Sequence, residues 1–145
     1  MWIVLLSIFA LANDADILSS RELLRDLWIA GDEQAWLDEA DRHLAELDAG
    51  NPNLALQYAV VLDRRWGATH GEQALLAASL AESHAHLWPE DIRADKLKRL
   101  QQLRVSVTQH QWADAAHRSS HNPDNREWAE KAEHYRRMAQ QASDN

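Results

Sequence analysis

Cysteine is absent from the 145 residues, which excludes a disulfide framework, a thiolate zinc site and a lipoprotein-type N-terminal cysteine. The fold therefore rests on packing alone. No apolar run approaches the roughly 20 residues that a membrane-spanning helix needs, and alternating strand patterns are nearly missing. Glycine occurs four times and proline three times, and every one of them stands where a helical pattern starts or stops. A single phenylalanine accompanies seven tryptophans. The chain also lacks a P-loop, a dinucleotide-binding glycine pattern, a Gly-x-Ser-x-Gly elbow and an HExxH motif. No local cluster specifies a reaction.

What is present begins with Met1 to Ala12, twelve residues without a charged side chain that close on Ala10-Leu11-Ala12. A short apolar stretch ending in a small-x-small triplet is what signal peptidase accepts, because only small side chains fit beside the scissile bond. The expectation is a cleaved signal peptide over 1–12, a mature start at Asn13, and a periplasmic or secreted protein. As a helix this stretch reaches about 18 Å, well short of the roughly 30 Å hydrocarbon core, so no integral membrane span is expected. A hydrophobic N-terminal helix packed on the domain is the other reading.

The formal net charge of −8 is unevenly spread, with −8 over residues 13–50, −2 over 51–90 and +2 over 91–145. That gradient argues against a nucleic-acid partner. Residues 13–145 form a single helical domain. Capping-box spacing at Ser19/Glu22 and Thr69/Glu72, and the pairs Asn51-Pro52 and Asn122-Pro123, mark helix starts. Together these signals predict helices over about 20–30, 33–48, 52–66, 70–87, 90–104, 109–119 and 123–142. The β-branched run Val105-Ser106-Val107-Thr108 reads as a kink, a loop or an extended stretch.

Apolar stripes run along these helices: Leu54, Tyr58, Val61 and Leu62 on one, and Trp128, Ala132, Tyr135, Ala139 and Ala142 on the last. Each stripe must be buried against a neighbour. Short connections make successive helices antiparallel hairpins. Trp28, Trp36 and Trp128 sit on such stripes and are assigned to the core.

Superposing residues 21–54 on 55–88 pairs Leu24 with Tyr58, Leu27 with Val61, Ala40 with Ala74, Leu44 with Ala78 and Leu47 with Ala81. Helix pairs recurring at about 34 residues, large residues on the first helix and small ones on the second, characterise tetratricopeptide repeats. Pro52 falls where the closing proline of such a repeat belongs. On these residues the segment 21–88 resembles two tetratricopeptide or Sel1-like hairpins. The pattern departs from the family at Trp28 and Leu62, where glycine is usual, and at His86, where proline is usual. The fold class implied is all-α, with hairpins stacked as a short α-solenoid and residues 89–145 as capping helices. An ordinary antiparallel bundle is the alternative.

The resemblance implies a concave groove lined by the first helix of each pair, which binds an extended peptide or a partner helix. Carried over by position, the groove residues are Glu22, Arg25, Ile29 and Asp32, then Leu56, Ala59, Asp63 and Trp66. Arg25, Ile29, Asp63 and Trp66 are the expected partner-binding residues, because apolar anchors beside charged groups hold such ligands. Trp66 can equally cover the end of its own helix. The functional expectation is an exported protein-protein interaction module, a scaffold or chaperone-type adaptor of the cell envelope, that is not an enzyme and has no catalytic residues, cofactor or metal. The alternative is a small periplasmic enzyme or glycan binder with a Trp/His/Glu cleft, which calls for His84, His110 or His117 beside a carboxylate. His117 and His121 have the i, i+4 spacing of a metal pair, but Asn122-Pro123 predicts a helix break beside them.

Overall fold

The computed structural model describes residues 22–47 and 52–145, with the backbone alone at 43–47. The segment 1–12, Ser19 and Asn51 lie outside the described residues, as do the side chains of Leu44 and Leu47. Within the described part the chain is helical and contains no strand. It divides into two compact units, Met1–Ala49 and Gly50–Asn145.

The first unit contains helix α1, over residues 22–30, and α2, Glu33–Leu47. Gly31 adopts φ +74° between them, the left-handed conformation that an L side chain resists. This lets the Gly31 amide reach Trp28 O and the Asp32 amide reach Leu27 O, both at 3.2 Å. Paired bonds of this kind satisfy the last carbonyls of α1. Asp32 then caps α2, its carboxylate accepting from the Ala35 amide at 3.1 Å. Trp36 is buried while Trp28, set edge-on to it at 5.7 Å, remains 37% exposed. The core assignment therefore holds for Trp36 but not for Trp28.

The second unit contains α3 (Pro52–Trp66), α4 (Gly71–Ser83), α5 (Glu90–His121) and α6 (Arg126–Asp144). Short 3₁₀ turns, Gly67–His70 and Ala85–Leu87, precede and follow α4. The second turn replaces the last part of the helix predicted over 70–87. α4 buries Ala74, Ala77, Ala78 and Ala81, a small-residue stripe that lets α3 and α5 approach it closely. Among the superposed pairs, Ala40 and Ala74 are both fully buried, whereas Leu24 is buried and Tyr58 only half-buried.

α5 is one uninterrupted helix of 32 residues, not two segments broken at Val105–Thr108. Packing decides this. Val107 and Thr108 are buried, and the Thr108 hydroxyl donates to the carbonyls of Arg104 and Val105 at 2.8 and 3.1 Å. Burial of the stripe Leu100, Leu103, Val107, Gln111 and Ala115 outweighs the modest helix-propensity deficit of the β-branched residues. α6 runs back along α5, with the Gln101 amide donating to Ala142 O. Trp128 is half-buried at the start of α6, its ring approached by Arg118 of α5 at 4.8 Å and by Lys131 at 4.7 Å.

The exposed face of α6 carries an ion cluster. Hydrogen bonds from Arg136, at 2.7 and 2.9 Å, and from Arg137, at 3.2 Å, hold the Glu133 carboxyl down to about 2 from its ordinary 4.5. A folded value below the unfolded one means that the pair's contribution is complete above the ordinary carboxylate range and disappears as pH falls toward 2. In a carbon-detected titration Glu133 should show a midpoint near 2. Arg136→Gln should move it upward toward the value of a free glutamate, and an unchanged midpoint would contradict this assignment.

Candidate functional site

The densest polar arrangement lies where the end of α3 meets the middle of α5. Ser106 and His110 are four residues apart, so one face of α5 presents both to the same neighbour. That neighbour is Asp63, only 7% exposed. Ser106 Oγ donates to Asp63 Oδ2 at 2.7 Å, and His110 Nδ1 lies 2.8 Å from Oδ1. Since the carboxylate can only accept, the proton of the neutral imidazole sits on Nδ1, and Nε2 carries the free lone pair. Each carboxylate oxygen thus has a partner, as burial of a charge requires.

The backbone makes room for this arrangement. Gly67, at φ +49°, turns the chain out of α3, and a Cβ built there would stand 3.8 Å from His110 Cβ. Four residues on, a Cβ at Gly71 would come within 2.7 Å of the buried Gln111 side chain. Both glycines therefore lie against α5. Trp66, half-buried, stacks on His70 at 4.6 Å, with the Arg65 guanidinium 5.1 Å from its ring.

Chemically, a carboxylate that fixes the tautomer of an imidazole is the arrangement of a general base or of a metal-ligating histidine. Ser106 bonds the carboxylate and has no bond to the imidazole, so it lacks the activation of a serine nucleophile. Of the three histidines expected beside a carboxylate in an enzyme, His110 has one. His84 lies 6.2 Å from the ring of His86, and His117 pairs with His121 at 4.2 Å. Among the described residues no three histidines or carboxylates gather at one point to hold a metal.

The expected partner-binding residues are placed as follows. On α1, Arg25 is exposed, 3.6 Å from Asp26, and Ile29 is 76% exposed. On α3, Asp63 is turned inward to Ser106 and His110, and Trp66 is half-buried. Sequence reasoning offers His110 as a candidate beside a carboxylate but misses Ser106 and the pairing of both with Asp63. Their i, i+4 spacing was a legible signal, masked by the reading of Val105–Thr108 as a break.

No helix of the described residues is long and apolar enough to cross a membrane. Compared with family models, curated proteins and solved structures, the chain matches none.

Proposed function

We propose that the protein is an exported helical-hairpin module, of tetratricopeptide-like organisation, that binds a peptide or partner helix as a scaffold or chaperone-type adaptor of the cell envelope. The observation that carries this reading is α1. Of its nine described residues only Leu24 is buried, while Leu23, Trp28 and Ile29 stand 44%, 37% and 76% exposed. Ile29 is the most exposed of these, and an exposed apolar side chain on a helix is the kind of anchor that a binding partner covers. Arg25 lies one turn before Ile29, on the same face, and adds a charge for orientation.

The test is photo-crosslinking from position 29 in envelope extract, followed by calorimetric titration of the purified partner. Ile29→Asp and Arg25→Glu should each weaken that binding by about tenfold, or roughly 1.4 kcal/mol, with melting temperatures within a few degrees of the parent. Equal loss of folding and binding would assign these residues to the core and refute the reading.

The Asp63–His110 pair favours a second reading, a small periplasmic enzyme or glycan binder in which the oriented imidazole acts as a base. His110→Gln separates the two: it leaves partner capture intact in the first and removes turnover or ligand retention in the second.

A further inference from the structure

The sequence raised a metal pair at His117 and His121 and set against it a helix break at Asn122-Pro123. The structure removes that objection, because α5 stays helical through His121 and turns only at Asn122. The two imidazoles therefore lie on one face of the last turn, both residues exposed, with ring centroids 4.2 Å apart and planes inclined at 44°. Exposed rings this close need only a modest side-chain rotation to place one nitrogen each about 2.0–2.1 Å from a shared ion.

The electronic arrangement also fits. His121 Nδ1 lies 2.9 Å from the carbonyl of His117 and 3.2 Å from Ser120 Oγ. The carbonyl can only accept, so Nδ1 is the protonated nitrogen of the neutral ring and Nε2 keeps its lone pair. A bond of this kind fixes the ring of a metal-bound histidine. The position is the C-terminus of a long helix, whose dipole lends some negative potential. Arg118, the adjacent cation, is engaged elsewhere, its Nε on Asp114 at 3.1 Å and its guanidinium over Trp128. Asp124, Arg126 and Glu127 border the same open depression as His121, and Glu127 is paired with Lys131 at 2.9 Å.

We propose that His117 and His121 form a two-histidine site for a borderline divalent transition-metal ion of the Zn²⁺, Cu²⁺ or Ni²⁺ class. The chain supplies two nitrogen ligands, and the remaining positions are open to water or to donors from a bound molecule. Imidazole pairs suit these ions, whereas Mg²⁺ and Ca²⁺ prefer oxygen. The site is independent of the partner-binding surface proposed for α1.

The experiment is calorimetric titration of chelator-treated full-length chain with zinc chloride, together with the ¹⁵N imidazole resonances. Saturable binding is expected, with the His117 and His121 resonances displaced together. His117→Ala and His121→Ala should each weaken binding by about tenfold or more, with helicity checked by circular dichroism. The double variant His84→Ala/His86→Ala should bind as the parent does. One ion per two chains with zinc-dependent dimerisation supports the same site, now completed by a second copy. Unchanged affinity in both α5 variants, displacement of other histidines alone, or no binding would overturn the proposal.

Discussion

Truncating Trp88 to alanine should destabilise the protein by about 3–5 kcal/mol, the usual cost of removing a buried tryptophan. Trp88 is 2% exposed and lies between the 3₁₀ turn Ala85–Leu87 and the start of α5. Its indole Nε1 donates to Asn53 Oδ1 of α3 at 2.7 Å, and its carbonyl accepts from Arg93 Nη2 of α5 at 3.0 Å. The side chain therefore combines a large buried volume with a polar link between α3 and the α4–α5 connection. Alanine leaves a cavity and removes the bond to the exposed Asn53 side chain. Because whole domains are stable by only about 5–15 kcal/mol, the variant should unfold at markedly lower urea concentration with a similar slope. Trp88→Phe keeps most of the volume and loses the hydrogen bond, so it should fall between parent and alanine. A Trp88→Ala midpoint close to the parent's would show that this residue does not join the helices.

Replacing Asp63 by alanine should cost about 1–3 kcal/mol, the net range for hydrogen bonds to a charged group. The carboxylate accepts from both Ser106 and His110 and links the end of α3 to the middle of α5. Its removal leaves the half-buried Ser106 hydroxyl and the exposed His110 ring with water in place of the carboxylate. A thermodynamic cycle of Asp63→Ala and His110→Ala isolates the imidazole contact from the serine one. The coupling should be positive, with the double variant less destabilised than the sum of the singles. Zero coupling in chemical denaturation would mean that the pair contributes nothing beyond its separate members.

Much of the architecture was legible along the chain. Gly31 ends α1 and Pro52 begins α3 because one residue favours left-handed backbone and the other lacks an amide to satisfy. The alanines of α4 announced close helix contact, and the structure buries them. Three features were less visible. The stretch Val105–Thr108 was ambiguous because local propensity differs by tenths of a kcal/mol per residue, and burial of Val107 and Thr108 decided it. Trp28 and Trp36 have similar apolar flanks, yet only Trp36 is fully covered. Trp88, by contrast, sits at an element end, where periodicity says little about burial.

Helical character and most helix ends follow from residue types a few positions apart, since capping, backbone freedom and i, i+4 periodicity all act within one or two turns. The meeting of Asp63 with Ser106 and His110, 43 and 47 residues away, has no such local origin. Tertiary packing brought those groups together, as it did Trp88 and Asn53. Short-range preferences are too weak to choose among distant partners, and burial of apolar surface, counted over whole helices, makes that choice.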